Sequence, residues 1–259
     1  MTRPSKQQTK QQTMTFKDYF SGHAADYAKY RPRYPSELFE WLAQQCNRRD
    51  RGWDCATGNG QAAIALANHF DQVIATDASA EQIQQAPEHA RVTYQVALAE
   101  DSRLATQSID LVTVAQAAHW FNLTAFYQEV HRVLQPGGLL AIWCYGQPTL
   151  AAAKLDHHLN DYYSNILNDF WTPERRLVEA GYRSLDFPFV ELATPTYRME
   201  VQWTLPELMG YLFTWSATQR YIAAHGDNPL DELSDRMASD WEGDRAAITW
   251  PITVRAGRT

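Results

Sequence analysis

The residues best placed to do chemistry in this chain are Asp54, Asp77, Glu100 and Gln116, together with two glycines, Gly58 and Gly60, one residue apart. The run Trp53-Asp54-Cys55-Ala56-Thr57-Gly58-Asn59-Gly60-Gln61 reads as a strand entering a glycine-rich turn. A small-residue helix over 61–70 follows, then a second strand, Val73-Ile74-Ala75-Thr76-Asp77, that ends in an acid. Glycines at such a turn let a ligand approach the backbone, because no Cβ intervenes. A helix opening at Gln61 aims unpaired amides and its positive dipole end at the same place. An acid at the end of the next strand can accept both hydroxyls of a ribose. The chemistry implied is the binding of a nucleoside-bearing cofactor.

Two cofactors compete for that loop. Gly58-Asn59-Gly60-Gln61-Ala62-Ala63 satisfies the dinucleotide pattern G-x-G-x-x-G/A, and Asp77 lies near the spacing that pattern expects. Against a dinucleotide stands Asp54, inside the first strand just before the turn. An acid there suits the ammonium of an amino-acid moiety and is unwelcome beside a pyrophosphate. The run Ala97-Leu98-Ala99-Glu100-Asp101 follows a third strand over 92–96 and offers a polar edge to an adenine amino group. Ile109-Asp110-Leu111-Val112-Thr113-Val114-Ala115-Gln116 reads as a fourth strand. Leu134-Gln135-Pro136-Gly137-Gly138-Leu139-Leu140-Ala141-Ile142 reads as a helix end, a tight turn and a fifth strand.

With these segments in hand, the sequence resembles the class I S-adenosylmethionine-dependent methyltransferases over roughly residues 16–145. Gln116-Ala117-Ala118-His119-Trp120-Phe121 and Gly210-Tyr211-Leu212-Phe213-Thr214-Trp215-Ser216-Ala217 resemble a narrower, small-molecule branch, that of the trans-aconitate and cantharidin methyltransferases. The resemblance implies S-adenosyl-L-methionine as cofactor, held by Tyr27, Asp54, Ala56, Gly58, Asn59, Gly60, Asp77, Ala78, Gln82, Ala99, Glu100 and Gln116. One departure is visible: Ala56 stands where the D-x-G-x-G-x-G loop has its first glycine. Trp120, Trp215 and Arg31 are candidates for binding the methyl-accepting substrate, with Arg175, Arg176 and Arg220 as further cations. A carboxylate acceptor needs no base; for a hydroxyl or amine acceptor, His119 is the candidate catalytic base. Two other readings stand beside this one: an NAD-dependent oxidoreductase, and a non-catalytic protein that binds a nucleoside cofactor.

The elements that must position these residues alternate. Strands are expected at 53–57, 72–77, 91–96, 109–115 and 139–145, with helices at 61–70, 80–86 and 123–134. Such alternation demands right-handed crossovers and a parallel sheet, with ligands beyond the strands' carboxyl ends. The expected fold is therefore α/β, a Rossmann-like, doubly wound, mostly parallel sheet. The resemblance sets it at seven strands, the last antiparallel. That last strand is read at 248–255, with Ile248, Trp250, Ile252 and Val254 on one face and Pro251 as a bulge or strand-start residue.

Residues 1–15 read as a disordered polar tail without the apolar core of a secretory signal. Residues 16–146 read as the cofactor-binding core, 147–245 as mostly helical cap insertions, and 246–259 as the closing strand. Within 16–31, Phe16, Tyr19, Phe20, His23, Tyr27 and Tyr30 recur at helical steps, as an aromatic face packed on the sheet or as a lid over the cofactor. A helix over 35–45 turns Leu38, Phe39 and Leu42 inward. In the cap, Leu155, Leu159, Tyr162, Tyr163, Ile166 and Phe170 share one face, and helices over 205–242 break at Gly226 and Pro229.

At 259 residues the chain can bury a sizeable core, and its formal charge of −7 disfavours a nucleic-acid partner. No apolar run reaches membrane-spanning length. The three cysteines, Cys46, Cys55 and Cys144, show no metal or C-x-x-C spacing, so no metal is expected and a reducing, cytoplasmic setting is.

Overall fold

The computed structural model describes residues 31–259. The polar tail, the aromatic segment up to Tyr30 and the cofactor candidate Tyr27 lie outside the described residues.

The helix α1 (Ser36–Gln45) precedes β1 (Arg51–Cys55), α2 (Gln61–Leu66), β2 (Gln72–Asp77), α3 (Ala80–Gln84) and β3 (Val92–Val96). Then come β4 (Ile109–Ala115), α4 (Leu123–Val133) and β5 (Leu134–Tyr145). In space the strands run β3-β2-β1-β4-β5, every neighbouring pair parallel. Chain order reverses between β1 and β4, so the loops leaving their carboxyl ends diverge and open a crevice. The register sets Asp54 beside Thr113 and Cys55 beside Val114, which brings the glycine loop and Gln116 to the same edge.

The central strands are apolar on both faces, as parallel strands covered by helices must be. Helix α1 packs on one side through Leu38, Phe39 and Leu42, all buried as their spacing predicts. On the other, α4 packs Phe126, Val130 and Val133 against Trp53, Val112 and Ile142.

Beyond Tyr145 come β6 (Thr149–Leu150), α5 (Ala153–Asp161), a π-helical turn (Tyr162–Ile166), α6 (Arg175–Glu179), β7 (Val190–Glu191) and β8 (Tyr197–Trp203). Helices α7 (Leu205–Phe213), α8 (Ser216–His225) and α9 (Leu230–Asp240) lead into β9 (Ala246–Arg258). The sheet among the described residues has nine strands rather than the seven expected, because the short β6 and β7 also pair on β9. Strand β9 is antiparallel to β5, β6, β7 and β8.

Pro251 lies inside β9, neither at its start nor in a bulge. Pairing with β5 ends at Tyr145↔Ile252, and pairing with β6 begins at Thr149↔Thr249. The proline falls in that gap, its carbonyl accepting from the Gly146 amide at 3.1 Å. Its missing N–H faces the same interrupted side, so no bond to β8 is lost.

The expected apolar face of the cap shifts by one residue at the π turn. Leu167 N donates to Tyr162 O, five residues back. The extra residue in that turn carries Leu167 into the core and leaves Ile166 exposed. Gly226, at φ 79°, ends α8, and Pro229 immediately precedes α9. Among the described residues, no helix is long and apolar enough to cross a membrane.

Candidate active site

The site begins at the turn after β1. Ala56, Gly58 and Gly60 all have positive φ, at 53°, 56° and 84°. Glycine enters this region freely, whereas alanine does so at a cost of roughly 1–2 kcal/mol. Among the described residues, a Cβ built on Gly58 would meet only Gln82 Oε1, at 3.8 Å, so none of them crowds that backbone. A Cβ on Gly60 would come within 2.4 Å of the Tyr94 hydroxyl. That hydroxyl is buried and has no hydrogen-bond partner among the described residues. Helix α2 is shorter than expected, only Gln61–Leu66, so the loop's own geometry matters more than a helix dipole.

Asp77 stands across the loop. Its Oδ2 accepts from the Gly58 amide at 2.8 Å and its Oδ1 from the Ser79 amide at 2.9 Å. Ala78 is half-buried beside Asp77, and Gln82 is buried in α3. Ala99 is buried, while Glu100 turns to accept from the Asn122 amide at 2.9 Å. Room beside the Gly58 backbone, a carboxylate at the end of β2 and the unpartnered Tyr94 hydroxyl, all among the described residues, fit a nucleoside-bearing amino-acid cofactor.

Asp54 differs from its sequence expectation. It is fully buried beneath the loop, accepting from Thr57 Oγ1 at 2.5 Å and Thr113 Oγ1 at 2.8 Å. Burial raises its carboxyl to about 6 against the pull of those hydroxyls. The carboxylate ties the turn to β4 instead of facing a ligand's ammonium.

Beyond β4 the chain makes a second tight turn. Gln116 has φ 56°; its Oε1 accepts from the Tyr145 amide at 2.8 Å, bridging the ends of β4 and β5. Next to it, a cavity of about 80 Å³ is lined by Arg31, Gln116, His119, Trp120, Tyr145, Trp171, Thr172, Arg175, Tyr211, Trp215 and Ser216. The structure thus gathers Arg31, Gln116, His119, Trp120 and Trp215 from distant parts of the chain. Arg176 and Arg220 do not line the cavity, and the Arg220 guanidinium donates to Phe170 O.

Both arginines in the cavity are held on aromatic rings. Arg31 lies over Tyr211 at 5.4 Å and donates to the Tyr145 hydroxyl. Arg175 lies over Trp171 at 4.9 Å, and its Nε donates to Tyr163 at 2.8 Å. His119 packs on Trp120, and its Nδ1 is 2.7 Å from the Tyr182 hydroxyl. Burial, with Arg175 nearby, pushes the imidazole down to about 3, so it is neutral at physiological pH and a weak base. A base so weak suits a hydrogen-bonding role in the cavity better than proton abstraction.

Sequence reasoning missed Tyr94, Tyr145 and Tyr182. Tyr145 was within reach of the rule that carboxyl ends of strands carry ligands, being the last residue of β5. Tyr182 carried no local signal, because its role depends on a partner 63 residues away.

Residues 53–142 match a family described as a methyltransferase domain. A methyltransferase of Dictyostelium discoideum is 34% identical over 226 residues, spanning 86% of each chain. Methyltransferase cfoB of Aspergillus candidus is 30% identical, over 85% of this chain and 73% of its own. A solved structure from Anaeromyxobacter dehalogenans, described as a type II methyltransferase, superposes with a TM-score of 0.83 at 42% identity, over 88% of this chain and 98% of that one.

Proposed function

Since the chain belongs to the class I S-adenosylmethionine-dependent methyltransferases, we propose that its methyl acceptor is a small carboxylic acid, bound in the arginine- and tryptophan-lined cavity. The observation that carries this reading is the pair Arg31 and Arg175, both set on aromatic rings in one small cavity beside a neutral histidine. Two fixed cations in an aromatic enclosure favour an anion, and a guanidinium presents the fork that a carboxylate matches. At about 80 Å³ the space suits a small acid, or the acid end of a larger molecule. The same chemistry supports placing the chain in the branch with the trans-aconitate methyltransferases.

S-adenosylmethionine, when bound, supplies a methyl group already activated by its sulfonium. Asp77 would accept from the ribose hydroxyls, the glycine backbone at Gly58 would admit the amino-acid portion, and Gln82 and Ala78 would border the cofactor. Asp54 acts through Thr57 and Thr113 as a positioning residue that holds the loop. Gln116 and Tyr145 lie between the cofactor loop and the cavity, while Trp120, Trp171 and Trp215 exclude water. Arg31 and Arg175 would hold the acceptor carboxylate in the cavity, an orientation effect that can supply several kcal/mol. An ionised carboxylate attacks through its own lone pair and needs no base.

The test is transfer of labelled methyl from S-adenosylmethionine across a panel of small organic acids, with their esters, phenols and amines as controls. Label released as methanol by alkali marks a methyl ester and supports the reading. Alkali-stable label on a phenol or amine, with the acids inert, would overturn it.

A further inference from the structure

Tyr182 is an unusual residue to find where it is. It follows Gly181 just after α6, and both occupy the left-handed region, at φ 61° and 58°. A bulky non-glycine residue takes that conformation only when its surroundings force it. Here the surroundings are specific. A Cβ on Gly181 would strike Thr253, the Tyr182 amide donates to Leu177 O, and Arg255 Nη1 donates to the Tyr182 carbonyl at 3.0 Å. The ring is fully buried, and among the described residues its hydroxyl bonds to a single side chain, His119.

From this geometry we infer that Tyr182 is a positioning residue that locks His119 as the Nε2–H tautomer, making His119 a neutral hydrogen-bond donor to the acceptor. The argument is one of proton accounting. Two arrangements satisfy the 2.7 Å contact: the phenol donates to Nδ1, or Nδ1–H donates to the phenol. In the second, the phenolic proton would have no acceptor among the described residues, a buried donor left unpaired. With Nδ1 accepting, the proton of a neutral imidazole sits on Nε2, which has no protein partner among the described residues while the ring lines the cavity.

The consequence is selectivity. A fixed Nε2–H rewards an acceptor that brings a lone pair, such as the non-reacting oxygen of a carboxylate. It cannot take the proton that a hydroxyl or ammonium acceptor must lose. This deepens the carboxylic-acid reading and rests on it for the identity of the acceptor, but the tautomer can be measured without any acceptor present.

The experiment is nitrogen NMR of the full chain with labelled histidine at pH 7, with the His119 signals identified by their loss in His119→Gln. A pyridine-type Nδ1 and a pyrrole-type, protonated Nε2 are expected. A protonated Nδ1, or an imidazolium, would overturn the inference. In Tyr182→Phe the single tautomer should give way to a mixture, and an unchanged tautomer in a folded variant would show that Tyr182 does not set it. Should that variant fail to fold, the wild-type spectrum still decides. A protonated Nε2 in an enzyme that methylates only phenols or amines refutes the carboxylic-acid reading alone. A protonated Nδ1 in an enzyme that esterifies acids refutes the tautomer lock alone.

Discussion

At the scale of single residues, Asp77 and Gly60 make the sharpest claims. Asp77, at the carboxyl end of β2, holds the loop through the Gly58 amide and is the residue proposed to meet the ribose. Asp77→Ala should weaken S-adenosylhomocysteine binding by about 1.5–3 kcal/mol, the scale of a hydrogen bond involving a charged group. Isothermal calorimetry reads this directly, and unchanged affinity would remove Asp77 from the site. Gly60→Val should abolish binding, for a reason only the structure supplies: its side chain would drive into the Tyr94 phenol and would have to accept φ 84°. Full affinity in a folded Gly60→Val protein would mean that the ligand does not use this loop. Ala56 is different. It endures a left-handed backbone where glycine would be at ease. Ala56→Gly should leave stability unchanged or raise it by about 1 kcal/mol, relief of strain being partly offset by the greater freedom of glycine in the unfolded chain. A urea titration decides this one.

At the scale of elements, the buried carboxyl joining β1 to β4 makes stability depend on pH. Asp54 is raised to about 6 in the folded protein, above its value in the unfolded chain. Between roughly pH 4 and 6 the folded state therefore holds more protons than the unfolded one, and stability falls as pH rises through that window, by about 3 kcal/mol for this group. Asp54→Asn keeps the shape and removes the titration. Between pH 4 and 6 its stability should gain on that of the wild type by about that amount, as measured by denaturant unfolding at each pH. Parallel curves would show that Asp54 does not titrate there. The elements themselves were largely legible. The strands ending at Asp77 and Val96, and the alternation in β9, follow from period-two patterning and turn residues that act within a few positions. What was not legible came from partners elsewhere. Pro251 sits mid-strand because β5 ends and β6 starts beside it, and Ile166 is exposed because a π turn shifts the face.

At the scale of the whole molecule, ligand and fold are linked, since a ligand that binds only the native state stabilises it by mass action. S-adenosylhomocysteine at about 100 times its Kd should add about 2.7 kcal/mol. For a chain of this size that is a rise in Tm of roughly 5–10 °C. NAD at the same concentration should leave Tm unchanged; the reverse pattern in a thermal melt would contradict the cofactor assignment. By itself, the sequence determined the sheet's core, the glycine loop and the acid that faces it. These depend on backbone sterics and on hydrophobic periodicity, which act over short stretches of chain. The resemblance carried by those same motifs then supplied the cofactor. Only the tertiary structure decided the cavity proposed for the acceptor. It pairs Arg31 with Tyr145 across 114 residues and His119 with Tyr182 across 63. It also buried Asp54 beneath the loop, with the Thr57 and Thr113 hydroxyls on its carboxylate. Those outcomes depend on which faces of distant elements pack together, and on how much water that packing removes from a charge, neither of which is written in the spacing of neighbouring residues.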